Sequence, residues 1–264
     1  MKARHLSTDE SEVFAQLGTA DSVAFGLDYD GTLAPIVARP ELANARPEVV
    51  ACVEALARNP NDLVAMVTGR SIEDLWTRAG THQTWVLGRH GAQVAAPGGE
   101  AHLAEGLDET ELMRGLEAVR AGIEAEARTV DGAFVEDKGA GFALHTRGVT
   151  DPAAEAALEQ RLEALARDLD SHVLLKGKRV LELRPKGVDK GWAFTRLVAR
   201  EAPGACVLYI GDDTTDEDAF RALDADAITV RVTEDPGIET AARYWVESPD
   251  DVLAFLQSVV SLRS

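Results

Sequence analysis

No apolar run in these 264 residues approaches the roughly 20 that a membrane helix needs. The polar opening, Met1 to Glu10, lacks the apolar stretch of a secretory leader. Cysteine is nearly absent. Cys52 and Cys206 both stand among apolar residues, which suits packing and argues against a disulfide framework or a zinc site. These absences give the expectation of a cytoplasmic protein. Positive charge is scarce as well: 27 Lys and Arg face 45 Asp and Glu, for a formal charge of -18. That balance argues against a nucleic-acid or anionic-membrane partner, and no obligatory protein partner is legible. No low-complexity segment, strict repeat or Pro/Gly/Ser-rich linker interrupts a chain that is 45% hydrophobic, so a globular protein of one large or two modest domains is expected.

What is there begins with a few unevenly placed lysines. Of six, five (Lys138, Lys176, Lys178, Lys186 and Lys190) lie between positions 138 and 190. In an acidic chain this concentration suggests a place where an anion is received. Short apolar runs at Val23–Asp28, Leu63–Val67, Cys206–Gly211 and Ile228–Val232 read as strands. Helical segments at Arg46–Asn59, Ser71 onward, Gly191–Arg200, Thr215–Leu223 and Asp250–Ser261 separate them. Such alternation describes a mostly parallel sheet wrapped by helices. Between the two blocks the pattern changes to helix–hairpin–helix–hairpin. Leu107–Arg128 reads as one long helix, then come strands at Ala133–Glu136 and Phe142–Arg147. A helix from Asp151 to about Leu169 and a second hairpin, Val173–Leu175 with Val180–Arg184, complete an α+β unit. One α/β core, residues 1–107 and 184–264, is thus expected to be split by an inserted domain at 108–183.

The chemical residues fall at strand ends, where open parallel sheets bind ligands. Asp28 and Asp30 end the first strand, Thr68 the second, and Asp212 and Asp213 the strand after the insertion, while Lys190 opens the helix before it. Strand side chains alternate, so Asp28 and Asp30 would point the same way if the strand continued. An Asp-Gly turn explains the first pair blandly. Adjacent acids at the end of an apolar strand are harder to explain without a cation, and carboxylates with a carbonyl and waters suit Mg²⁺.

Asp28-Tyr29-Asp30-Gly31-Thr32 after an apolar strand, Thr68, Lys190 and Gly211-Asp212-Asp213-Thr214-Thr215-Asp216-Glu217-Asp218 resemble, in order, the four motifs of the haloacid dehalogenase (HAD) superfamily. The resemblance implies a Rossmann-like core with an inserted C2-type cap. It implies Asp28 as nucleophile and Asp30 as general acid and base. Thr68, with Gly69 and Arg70, would stand at the phosphate, and Lys190 would neutralise charge. The ligands of Mg²⁺ would be Asp28, the carbonyl of Asp30 and Asp212, with Asp213 and Asp216 supporting from behind. Arg70 could touch the phosphate or cap its turn. Asp at position 30 points to the phosphatase and mutase branch. The interval from Asp28 to Thr68 is too short for a large cap, whereas that from Thr68 to Lys190 can hold one.

Within that branch, Gly31-Thr32-Leu33-Ala34-Pro35-Ile36, Glu136-x-Lys138, His145-x-Arg147, Gly177-Lys178 and Leu181-Glu182-Leu183-Arg184-Pro185 resemble the trehalose-6-phosphate phosphatase family. The implied substrate is a small sugar phosphate. Glu136 with Lys138, His145 with Arg147, and Glu182 with Arg184 share strand parity, so one sheet face can present them to sugar hydroxyls, with Lys178 beside them. Cross-strand salt bridges on a wet face are the plain alternative. Another sugar phosphate (sucrose phosphate, glucosylglycerate phosphate) and a non-catalytic sugar-phosphate sensor stay open. Two hinges, near 105 and 185, imply closure over substrate.

Overall fold

The computed structural model describes residues 3–37, 39, 42–177 and 179–263. Lys178 lies outside them. In chain order the elements are β1 (Arg4–His5), α1 (Glu10–Thr19), β2 (Val23–Asp28), α2 (Pro47–Ala57), β3 (Leu63–Val67), α3 (Ile72–Ala79), β4 (Trp85–Gly88), β5 (Gln93–Ala95) and β6 (His102–Leu103). Next come α4 (Glu109–Met113), α5 (Leu116–Ala127), β7 (Phe134–Asp137), β8 (Phe142–His145), α6 (Pro152–Ala166), β9 (His172–Gly177) and β10 (Val180–Pro185). The chain ends with α7 (Lys190–Glu201), β11 (Cys206–Gly211), α8 (Asp216–Ala222), β12 (Ile228–Val232), β13 (Tyr244–Val246) and α9 (Pro249–Arg263).

Two compact units result: 1–104 with 189–264, and 105–188. The first limit falls at 104/105 rather than the 107/108 read from sequence, and the second lies beyond 183/184 because β10 runs on to Pro185, paired with His172, and Lys186 donates its N–H to the carbonyl of Ser171 at 2.8 Å.

The larger unit is built on a nine-stranded sheet in the order β1-β13-β12-β11-β2-β3-β4-β5-β6. All neighbours from β1 to β4 are parallel, and β5 and β6 add antiparallel at one edge. Every residue of β2, β3 and β12 is buried, as expected of mainly apolar strands with both faces covered; Thr229 and Arg231 are the polar residues of β12. On one face Val23, Phe25 and Leu27 join a core with Leu17 of α1, Val53 of α2, Leu75 of α3 and Phe255 of α9. On the other, Gly26 leaves the room that Tyr209 and Phe194 of α7 fill; a methyl group at Gly26 would stand 2.8 Å from the Phe194 ring and collide with that of Tyr209. A glycine inside a strand here marks close packing.

The smaller unit has a four-stranded antiparallel sheet, β7-β8-β10-β9, with α5 and α6 on one face. Phe142, Leu144, Leu181 and Leu183 point into its core with Ile123 and Leu162. The long helix expected over 107–128 is two helices, α4 and α5. Gly115 adopts a left-handed φ of 79° between them and ends the first. No helix among the described residues is long and apolar enough to cross a membrane.

Candidate active site

β11, β2 and β3 are neighbours at the middle of the large sheet, and all run the same way. Their carboxyl ends therefore bring together the residues that follow Gly211, Asp28 and Val67. α7 adds Lys190 at its first turn, with the Asp189 side chain accepting the Trp192 N–H at 2.8 Å.

Asp28 is the last residue of β2, and its side chain is buried. Its Oδ1 accepts a hydrogen bond from Lys190 Nζ at 2.6 Å, and its Oδ2 one from the Thr32 hydroxyl at 3.3 Å. The same ammonium donates to Asp216 Oδ1 at 2.8 Å. Asp216 is held from behind by the Tyr209 hydroxyl at 3.0 Å and the Asp213 N–H at 3.0 Å. Burial pushes Asp28 well above the usual carboxylate range; Lys190 pulls against it, and the charges of Asp216 and Asp212 add to the rise. Burial likewise carries Asp212 up to about 7, with the charge of Asp216 adding to it. For Lys190, burial would lower the pKa, but Asp216 and Asp28 outweigh it and hold the ammonium protonated above its ordinary range.

Among the described residues, Asp28, Asp212 and Asp216 each offer a carboxylate oxygen within 4.8 Å of the others. One ammonium does not neutralise three carboxylates in so dry a place. The donor set, all hard oxygen, fits Mg²⁺. Gly31, with φ 81°, shapes the cradle: a methyl group there would collide with the Asp212 carboxylate.

The Asp213 carboxylate, expected beside Asp216 as support behind the metal, lies away from the cluster, and only the Asp213 N–H reaches the Asp216 carboxylate. The Asp213 side chain is exposed, and its Oδ1 accepts the Thr214 N–H at 2.7 Å. α8 begins at Asp216, and that turn brings Asp216 rather than Asp213 to the cluster. The carbonyl of Asp213 instead accepts from Arg231 at 2.5 Å, an arginine that also pairs with buried Glu217 at 3.3 Å. Asp30 also behaves differently from Asp28. β2 ends at Asp28, the chain turns with Gly31 N–H bonded to the Ala34 carbonyl at 2.8 Å, and strand parity no longer governs the second acid. Both oxygens of Asp30 accept from Arg70, at 2.6 Å from Nη2 and 2.7 Å from Nε.

Thr68 is buried, and its hydroxyl accepts the Arg70 N–H at 3.1 Å, making the tight turn into α3. Its carbonyl accepts the His90 N–H at 2.9 Å. The His90 ring covers Gly69, where a methyl group would stand 2.6 Å from it. Arg89 and His90 both take positive φ, 50° and 55°, to set that ring in place. Ser71 caps α3 by accepting the Asp74 N–H at 3.2 Å, as its position in the sequence suggests.

In the smaller unit, Glu136 and Glu182 both pair in register with Ala143, so they flank it on the face opposite α5 and α6. His145 Nε2 stands 2.8 Å from Glu136 Oε2, and that hydrogen bond holds Glu136 below the usual carboxylate range. Lys138 Nζ lies 3.8 Å from Glu182 Oε2. Arg184 shares the strand parity of Glu182, and Arg147 is exposed in the turn after β8. One residue missed in the sequence is Phe134, 58% exposed and stacked on His145 with centroids 4.6 Å apart. Its β7 position, two before Glu136, could have flagged it. Asp74, four residues after Arg70, was the other legible miss.

A family model described as trehalose-phosphatase matches residues 26–250. A trehalose-phosphate phosphatase of Mycobacterium marinum is 33% identical over 271 aligned residues, covering 98% of this chain and 67% of the relative. A longer protein of Mycobacterium tuberculosis, described as an uncharacterized glycosyl hydrolase, is 34% identical over 95% of this chain, which spans 19% of it. A solved trehalose-6-phosphate phosphatase of Aspergillus fumigatus superposes with a TM-score of 0.73 at 28% identity, covering 98% of this chain and 99% of that one.

Proposed function

The chain belongs to the trehalose-phosphatase family, a family of phosphatases, and we propose that it hydrolyses trehalose 6-phosphate to trehalose and phosphate, with Mg²⁺, through an aspartyl phosphate on Asp28. One observation carries the reading: a buried strand-end carboxylate, 2.6 Å from the Lys190 ammonium, shares its oxygen cluster with two further aspartates.

In the first step an Asp28 oxygen forms a bond to phosphorus as the bond from phosphorus to the sugar oxygen breaks. Asp30 gives its proton to that oxygen, so the sugar leaves as a neutral alcohol. In the second step water attacks phosphorus, its proton passes to Asp30, and the bond to Asp28 breaks. Lys190 stabilises negative charge on Asp28 and on the phosphoryl group in both steps. The turn from Thr68 into α3 supplies backbone N–H groups for phosphate oxygens. Asp28 and Asp212 would hold Mg²⁺, together with the carbonyl of Asp30, while Asp216 keeps Lys190 in place. The bound ion supplies charge neutralisation at the phosphoryl oxygens.

Sugar recognition falls to the open face of the smaller sheet, where Glu136, His145, Glu182 and Arg184 offer charged donors and acceptors to hydroxyls. Lys138 and Arg147 extend that set. The substrate is a free small molecule in the cytoplasm, a location with which unpaired Cys52 and Cys206 agree. Phosphate release from trehalose 6-phosphate, sucrose phosphate, glucosylglycerate phosphate and glucose 6-phosphate tests the specificity. Trehalose 6-phosphate is expected to give the highest kcat/KM. Equal or faster release from glucose 6-phosphate overturns the disaccharide reading.

A further inference from the structure

We propose that Arg70 is a positioning residue for Asp30: it orients the carboxylate that exchanges protons with the sugar and with water, rather than binding the substrate phosphate. The inference rests on the role given above to Asp30.

The guanidinium is committed in three directions. Nε and Nη2 donate to the two oxygens of Asp30 at 2.7 and 2.6 Å, a planar fork on a planar carboxylate. Nη1 donates to Asp74 Oδ2 at 2.6 Å. The guanidinium carbon lies 5.8 Å from the centroid of the Tyr29 ring. Asp74 is itself pinned, with Arg78 Nη2 at 2.8 Å from its other oxygen. Arg70, Asp74 and Arg78 are spaced four apart through α3 and the turn before it, so a ladder of alternating charge runs from the helix to Asp30. The main chain of Arg70 is fixed too, by the Thr68 hydroxyl at 3.1 Å and by the Arg89 N–H on its carbonyl at 2.8 Å.

Asp30 needs such a partner. It sits on a turn beyond the end of β2, and its side chain is 40% exposed, against 11% for that of Arg70. A half-exposed aspartate on a turn has several open rotamers. General acid–base catalysis requires one of them, because proton transfer depends on reach and direction. The fork selects the plane of the carboxylate.

Arg70→Met and Arg70→Lys, each alone and with Asp30→Asn, are assayed for kcat and KM on trehalose 6-phosphate and on p-nitrophenyl phosphate. Positioning predicts that Arg70→Met lowers kcat on the sugar phosphate at least about tenfold, part of the 10²–10⁴ that acid–base catalysis contributes, while KM moves less than about threefold. In the Asp30→Asn background the same change should lower the residual kcat on the aryl phosphate less than about threefold, since coupled residues are not additive. A KM raised about tenfold or more at unchanged kcat, persisting in that background, overturns the proposal in favour of a phosphate ligand. So does an Arg70→Met enzyme with unaltered kinetics. Should Arg70→Met fail to fold, Asp74→Asn removes one anchor of the guanidinium, and the same kcat loss at constant KM, smaller in size, is expected. Turnover by Asp28→Asn, measured in parallel, would bring down the underlying mechanism instead.

Discussion

Asp28 and Lys190 come from a strand and a helix separated by the entire smaller unit, yet Oδ1 and Nζ stand 2.6 Å apart with 5% and 3% of their side chains exposed. A contact this dry forms only because β2 and α7 are set by the packing of the larger unit alone. Phe194 of α7 lies edge-on to Tyr209 with centroids 5.3 Å apart, Tyr209 holds Asp216, and Asp216 holds Lys190. Sheet core and carboxylate cluster are thus joined through the Tyr209 hydroxyl, which burial keeps protonated and donating.

Lys190→Met leaves the buried carboxylates without their ammonium. Turnover should fall at least about a hundredfold, the scale for losing a preorganised charge partner. Urea denaturation of the metal-free protein should show a loss of roughly 3–5 kcal/mol, typical of breaking a buried pair. A variant with near wild-type kcat would remove Lys190 from the site.

Chelation should abolish turnover, and added Mg²⁺ should restore it. The cation should also raise Tm, by the equivalent of about 2.7 kcal/mol at a concentration a hundred times Kd. Asp212→Asn should lose this shift. Asp213→Asn should keep it, because its carboxylate is turned to Thr214. Loss of the shift in Asp213→Asn would return that carboxylate to the support of the metal site.

The two outcomes separate what sequence reading can reach from what it cannot. β2, β3, β11 and β12 have the limits read from the chain, because strands at the middle of a covered sheet are short, mainly apolar runs. The placement of Asp28, Thr68 and Asp212 at or just past their ends followed from that. Choosing between Asp213 and Asp216 depended on where α8 starts turning, a matter of one helical turn that composition does not encode. Gly115 was visible yet unused; its left-handed backbone breaks what periodicity alone reads as one helix. α1, with only Val13 and Leu17 buried, has too thin an apolar stripe to stand out, and β1, β6 and β13 are too short to show a period. The fork between Asp30 and Arg70 is tertiary and could not be read at all.

Arg263 near the end of α9 pairs with Asp62 through two 2.6 Å hydrogen bonds, and Asp62 also accepts the Val23 N–H at 2.8 Å, where β2 begins. Their side chains are 7% and 0% exposed. Arg263→Ala should destabilise the protein by roughly 3–5 kcal/mol, and the Asp62→Ala double variant should add far less than its own single cost. Activity per folded molecule should not change, since neither residue is near Asp28 in the sheet. Equal stability of Arg263→Ala and wild type would contradict the clamp.

His172 is buried in the smaller unit, with Nε2 donating to the Ala140 carbonyl at 2.7 Å and Nδ1 at 2.9 Å from the Ser171 hydroxyl. Burial lowers its pKa below 6.5, and the bond to Ala140 opposes this only in part. The unfolded chain then binds more protons than the fold, so the stability this group contributes is complete above pH 6.5 and is lost as pH falls through the folded value. Denaturation midpoints should drop between pH 7.5 and pH 5, and the His172→Gln variant should flatten that part of the dependence. An unchanged pH profile in the variant would assign the effect elsewhere.

Rapid acid quench of enzyme mixed with ³²P-labelled trehalose 6-phosphate, followed by peptide mapping, examines the nucleophile itself. Covalent phosphate on the peptide carrying Asp28, absent from Asp28→Asn, is the expected result. Label on another residue, or steady turnover by Asp28→Asn, would contradict attack by Asp28 on phosphorus.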